Sequence, residues 1–217
     1  MGSALLRLAP ETGIGIAAAV ARRPIEGLAS VIHPAEMRAA PAFDVAIDFS
    51  LPEAFDAVLA LCLERRVPLV SGTTGLTDAQ RRALDSAATA IPIVWASNFS
   101  LGVAVLADLV ERAARLLDGW DCDIVESHHV HKKDAPSGTA LTLGERAQAA
   151  GASPRYASLR AGDIVGEHTV QFATAGERIE LVHRATNRDV FARGALHVAR
   201  RIVGRPPGRY AVADLLG

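Results

Sequence analysis

Val45-Ala46-Ile47-Asp48-Phe49-Ser50-Leu51-Pro52-Glu53-Ala54 joins a short apolar run to a helix start. Its apolar run, Val45–Phe49, is too short for a helix and reads as a buried strand. Pro52 then opens a helix, because proline suits the first turn, and Glu53 places an acid near the positive end of the helix dipole. That helix runs to about Arg66 and delivers the chain to a second apolar run, Val67–Val70. A glycine-flanked turn, Gly72-Thr73-Thr74-Gly75, follows directly. Strand, helix, strand and turn form a βαβ unit, the repeat of a parallel α/β sheet.

Working outward, Ile16–Ala21 and Ile91–Ala96 read as two further buried strands, and Thr77–Ala90 as a helix with Thr77 as its cap. The sum is a Rossmann-like, doubly wound parallel sheet. After Asn98 the pattern changes. Leu101–Leu117 and Ser137–Ala150 read as helices. Asp123–His129, Ala157–Ile164, Glu167–Ala173 and Arg178–Ala185 read as strands, and Phe191–Ile202 as a last helix returning to the first domain. The expectation is a first domain of residues 1–98 and 188–217 and a second, α+β domain of residues 99–187.

Bulk composition bounds the function. The 217 residues carry a net charge of −1, which gives no footprint for nucleic acid. No apolar run approaches the roughly 20 residues of a membrane span, and the N-terminus lacks the layout of a secretory signal. The two cysteines, Cys62 and Cys122, are far apart, as expected of buried thiols in a reducing cytoplasm. The 23 basic residues include only two lysines, Lys132 and Lys133, side by side. Lysine can release a proton where arginine practically cannot, so a position that keeps it draws the eye.

Both lysines lie in the densest polar segment, Glu126-Ser127-His128-His129-Val130-His131-Lys132-Lys133-Asp134-Ala135-Pro136-Ser137-Gly138-Thr139-Ala140. Imidazoles and an ammonium in one loop can exchange protons near neutral pH. The Ser-Gly-Thr that follows opens a helix, and free N–H groups at a helix start attract an anion. The combination points to a small carboxylate- or phosphate-bearing substrate. His129-x-His131 could alternatively bind a metal, but no third ligand stands at a standard spacing, so no metal is expected. Three strand ends carry further polar turns: Asp48-Phe49-Ser50, Gly72-Thr73-Thr74-Gly75 and Ala96-Ser97-Asn98-Phe99-Ser100. Ligands of doubly wound sheets bind at such ends.

These segments resemble the dihydrodipicolinate reductase family. Glu126–Ala140 is similar, position for position, to its signature E-x-H-H-x-x-K-x-D-x-P-S-G-T-A. Asp48–Ala54, Gly72–Gly75, Ala96–Val103, Arg160–His168 and Phe191–Ala195 resemble further family segments. The resemblance implies an NAD(P)H-dependent reduction of 4-hydroxy-tetrahydrodipicolinate in diaminopimelate and lysine biosynthesis. It implies His128 as proton donor/acceptor, Lys132 as second proton donor, and His129, Gly138 and Thr139 as substrate-binding residues. It implies cofactor contacts at Met1, Arg22, Gly72, Thr73, Thr74, Ala96, Ser97, Asn98 and Phe99, a dicarboxylate substrate, and a cytoplasmic homotetramer assembled through the second domain.

Two departures are legible. The family's first strand and most of its G-x-x-G-R-M-G phosphate loop precede the position of Met1-Gly2, so the strand expected in the middle of the sheet is missing. Either the start is misplaced or the chain is a degenerate, non-catalytic dicarboxylate-binding relative that has lost nucleotide binding; the surviving signature favours the first. Secondly, where the family places an acid and then Arg near the adenosine ribose, this chain has Ala21-Arg22-Arg23. Two cations without a carboxylate favour a 2′-phosphate, hence NADPH over NADH, although two solvated arginines in a loop would read the same.

Overall fold

The computed structural model describes every residue except Ala29. It divides into two compact units, Met1–Ala96 with Ala192–Gly217, and Ser97–Phe191.

In the first unit α1 (Gly2–Leu8) passes through a 3-10 turn to β1 (Ala19–Val20), which pairs in parallel with β2 (Val31–Ile32). The strand expected over Ile16–Ala21 is thus much shorter. Burial from Ile14 to Ala18 alternates between half-buried and exposed, which is not the pattern of a strand covered on both faces. Then come β3 (Ala46–Asp48), α2 (Pro52–Arg65), β4 (Leu69–Ser71), α3 (Asp78–Ala87) and β5 (Pro92–Trp95). Thr77 caps α3 in a capping box with Gln80, satisfying two N–H groups reciprocally. Phe55, Leu59 and Cys62 recur at helical spacing on α2 and pack on Leu69 and Ile93 of the sheet and Leu84 of α3.

The second unit contains α4 (Leu101–Leu116), β6 (Asp121–His128), α5 (Gly138–Ala149), β7 (Pro154–Arg160), β8 (Gly166–Thr174) and β9 (Glu177–Ala185). Its sheet runs β7-β6-β8-β9, with β7 parallel to β6 and the other pairs antiparallel. The strand expected over Ala157–Ile164 begins earlier and stops at Arg160, because Gly162 adopts a left-handed turn (φ 50°). One face of the sheet is covered: Cys122, Ile124, Val170 and Phe172 meet Leu106, Val110 and Ala114 of α4 and Leu143 and Ala147 of α5.

Helix α6 (Asp189–Ile202) buries Leu196, Val198, Ala199 and Ile202, and its Arg193 reaches Glu11 at 2.9 Å. The tail forms β10 (Gly208–Tyr210), which adds in parallel to β5 and gives the order β10-β5-β4-β3. The α/β class stands, with all pairs in the first unit parallel. Among the described residues the strands of the first unit form two sheets, β1-β2 and the four-stranded one.

Candidate active site

The covered face of the second sheet changes character along its strands. Side chains alternate across a strand, so Cys122, Ile124, Glu126 and His128 of β6 share that face, and all are buried. Register places Ile124 beside Tyr156, Val170 and, through β8, Leu181. One step on, it places Glu126 beside Ser158 and His168, with His168 beside His183. Hydrocarbon gives way to a row of polar groups two residues from the point where the signature loop leaves the sheet.

Glu126 is fully buried and saturated with partners. Arg160 grips it in a two-pronged contact, both N···O distances 2.8 Å. The Ser137 N–H donates to its Oε1 at 3.2 Å, and His128 Nδ1 lies 2.5 Å from its Oε2. Burial alone would raise this carboxyl, but hydrogen bonds from Arg160, Ser158 and His128 outweigh it and bring it down to about 2. With Nδ1 engaged, His128 has Nε2 left to offer. A Cβ at Gly166 would come within 3.1 Å of that nitrogen, so glycine keeps its flank clear.

Arg160 also organises the loop: its Nε donates to the carbonyl of Lys132 at 3.3 Å and an Nη to that of Asp134. Lys132 Nζ rests on Asp134 at 2.8 Å, a bond that lowers the Asp134 carboxyl, and the Lys132 side chain is 22% exposed. Lys133 is exposed. Ser137 caps α5 by accepting from the Ala140 N–H. Gly138 and Thr139 then occupy the first helical turn, where N–H groups lack helical acceptors. No acid stands in that turn, and nothing lies within 4 Å of where a Gly138 side chain would start. Thr139 Oγ1 accepts from Asn98 at 2.9 Å.

Histidines complete the site. His168 contacts Ser137 Oγ at 3.2 Å and meets His128 edge-on, ring centroids 5.2 Å apart. Burial, with His128 adding to it, lowers His168 to about 4, so it is neutral at physiological pH. His183 bonds Ser100 Oγ at 3.2 Å and is lowered by burial. Arg188 lies 3.0 Å from His129 Nε2; desolvation first, then Arg188, lower His129.

In the first unit, buried Asp48 at the end of β3 accepts from Ser71 Oγ (2.9 Å), Thr73 Oγ1 (2.8 Å) and the Ser50 N–H (3.0 Å). Trp95 Nε1 donates to the Thr73 carbonyl at 2.8 Å. The turn at Gly72, Thr73 and Thr74 is thereby pinned to its neighbours, with Thr74 exposed. Met1 caps α1 and Arg22 follows β1, both exposed; among the described residues no hydrogen bond links either to that turn. Ala96 closes the first stretch of this unit. Ser97, Asn98 and Phe99 begin the second, with the Phe99 ring buried.

The structure therefore joins His128, the Lys132 loop and the Gly138-Thr139 helix start, as well as Asn98 with Thr139. It adds residues that the signature alone did not assign. Glu126 stands two places before His128, and strand period already puts the two on one face. Arg160, Ser137, His168 and Arg188 arrive through register, capping and a loop, which spacing does not reveal.

Comparison with known proteins identifies the family. The family model for the N-terminal part of dihydrodipicolinate reductase matches residues 1–99, and that for its C-terminal part residues 102–216. The 4-hydroxy-tetrahydrodipicolinate reductase of Stenotrophomonas maltophilia strain K279a is 68% identical, covering 100% of this chain and 93% of its own. That of Xylella fastidiosa strain 9a5c is 65% identical with the same coverage. The solved structure of dipicolinate-bound dihydrodipicolinate reductase from Paenisporosarcina sp. TG-14 shares the fold, with a TM-score of 0.81 at 19% identity over 100% of this chain and 95% of that one. On these matches, the chain belongs to the dihydrodipicolinate reductase family.

Proposed function

We propose that the chain is a 4-hydroxy-tetrahydrodipicolinate reductase using a nicotinamide cofactor, with its substrate held in the second unit. One observation carries the reading: a proton-handling histidine, a lysine loop and an anion-binding helix start converge on a single buried carboxylate–guanidinium pair. A dicarboxylate ring suits that set, because the Gly138 and Thr139 N–H groups take one carboxylate and the Lys132 ammonium offers a charge-assisted bond. His129 and Thr139 flank the same place. Dipicolinate, the ligand named for the Paenisporosarcina enzyme, is a rigid ring of this kind.

The residues then act as follows. A bound reduced nicotinamide supplies the hydride. Loss of the 4-hydroxyl as water leaves a conjugated imine in the ring; as hydride adds at the carbon that bore the hydroxyl, the electron pair passes through the double bonds to nitrogen, and one proton taken up there balances the addition. The Lys132 ammonium and His128, giving the Nε2 proton of its doubly protonated ring and keeping the one on Nδ1, are the acids placed to supply it. Asp134 keeps the ammonium oriented, and Glu126 holds the imidazole.

Residues of the first unit fit a nicotinamide nucleotide in two respects. Gly72, Thr73 and Thr74 and the Ala96 end are carboxyl termini of parallel strands, with Asp48 fixing the turn. Arg22 and Arg23 are exposed cations with no carboxylate between Ala21 and Pro24, which supports NADPH over NADH. Met1 of the first unit, and Ser97, Asn98 and Phe99 at the start of the second, are the remaining cofactor positions in this reading. The first unit is thus the nucleotide-binding domain and the second the substrate-binding and oligomerisation domain. The second sheet's other face carries half-buried Val125 and Thr169 beside exposed Val182 and Leu159, a surface suited to homotetramer assembly. Two free buried cysteines accord with a cytoplasmic protein, and among the described residues no helix is long and apolar enough to cross a membrane.

The test is absorbance loss from NADPH with freshly made substrate. Turnover should fall roughly 100-fold in His128→Ala and in Lys132→Ala. A chain that binds pyridine-2,6-dicarboxylate but neither NADPH nor NADH would instead be a non-catalytic relative.

A further inference from the structure

We infer that the buried Glu126–Arg160 pair is the positioning element of the site, setting at once the tautomer of His128, the path of the Lys132 loop and the start of α5. The inference rests on the reading of His128 as the proton-handling group and goes beyond it by naming what makes that group competent.

Six hydrogen bonds support it. Glu126 Oε2 takes His128 Nδ1 at 2.5 Å, so the proton on this nitrogen faces a carboxylate and Nε2 is turned to the substrate side. Glu126 Oε1 takes the Ser137 N–H, the residue that caps α5 and precedes Gly138. Arg160 spans both carboxylate oxygens, and its remaining N–H groups hold the carbonyls of Lys132 and Asp134. Imidazole, ammonium loop and carboxylate cradle are thus fixed by two side chains. Neither needs to touch the substrate.

The charged and titratable groups around His128 are Glu126 on its own strand, Arg160 from β7, His168 from β8, His183 beyond it on β9, and His129 and Lys132 from the loop. His168, which is buried and bonded to the Ser137 hydroxyl, lies next to Glu126 in register without bonding to it. Arg160 is therefore the permanently charged partner of Glu126, with the His128 imidazole bonded beside it. A bidentate guanidinium is also a fork that lysine does not reproduce.

The experiment uses the full chain with 15N-labelled histidine, and reads the His128 ring nitrogens by NMR alongside steady-state kinetics. In the native protein the neutral His128 ring should carry its proton on Nδ1, the form left once Nε2 of the doubly protonated ring has given up its own. In Glu126→Gln the tautomer population should shift toward Nε2–H, kcat should fall at least 10-fold, and KM should move less than threefold. Arg160→Lys keeps both charges and should retain more kcat than Arg160→Met, with the His128 signals intermediate. The inference is overturned if folded Glu126→Gln leaves the His128 signals unchanged, or if Arg160→Lys and Arg160→Met are equally active as the native chain. Should Glu126→Gln not fold, the native tautomer and the two Arg160 variants decide it. Failure of the underlying reading looks different, since turnover would then be untouched by His128→Ala.

Discussion

His168 should make the protein lose stability in mild acid, and replacing it should remove that loss. The ring is 3% exposed and is neutral in the folded chain because burial lowers it from 6.5 to about 4. Between those values the unfolded chain binds a proton that the folded chain refuses. Unfolding therefore takes up a proton in this window, and stability rises with pH across it. Each pH unit is worth about 1.4 kcal/mol, so the native chain should lose about 2 kcal/mol by pH 5 and about 3 kcal/mol by pH 4 on this account. Glu126 acts in a separate window: its stabilising contribution is full above the ordinary carboxylate range and is lost as pH falls toward about 2. His129 and His183 shift in the same direction as His168 but are common to both chains in a comparison. The perturbation is His168→Gln, whose amide can still meet Ser137 Oγ and does not titrate. Urea unfolding of both chains at half-unit steps from pH 7.5 to 4 gives two curves. Their difference should grow by about one proton's slope below pH 6.5. Parallel curves throughout would refute the placement of a neutral imidazole in that row.

Further outcomes follow from close approaches. In Gly72→Ala the new carbon would come within 2.2 Å of the Phe49 ring, so the turn after β4 must move; overpacking should cost about 1–3 kcal/mol and calorimetry should show weaker NADPH binding, with Phe49→Leu restoring stability. Gly144→Ala would drive a methyl into the Tyr156 hydroxyl, and thermal melting should fall while Gly144→Ala with Tyr156→Leu recovers part of it. Replacing Arg22 and Arg23 by alanine should raise the KM for NADPH at least fivefold and leave that for NADH within twofold, if these guanidiniums meet a 2′-phosphate.

The sequence exposes some features because they are local. Pro52-Glu53, Thr77 with Gln80, and Ser137 announce helix starts through the chemistry of unsatisfied N–H groups, and all three open helices in the structure. The signature segment is legible because imidazole, ammonium and Ser-Gly-Thr fall within one loop. Other features depend on distant pairings. β2 and β10 are only two and three residues long, too short for any period to register, and each exists through its partner strand. Arg160 lies 34 residues from Glu126; nothing at either position tells that β7 runs parallel to β6 in that register. The strand expected over Ile16–Ala21 is reduced to Ala19–Val20 for a related reason, since an apolar run is paired only where a neighbour meets it.

The start of α5 is expected to grip a dicarboxylate beside His128 and Lys132. Titrating pyridine-2,6-dicarboxylate into 15N-labelled chain tests it most directly. The amides of Gly138 and Thr139 should move first and farthest, and Lys132→Met should weaken the fitted affinity at least 10-fold. Binding that leaves those amides still, or is indifferent to Lys132, would contradict it.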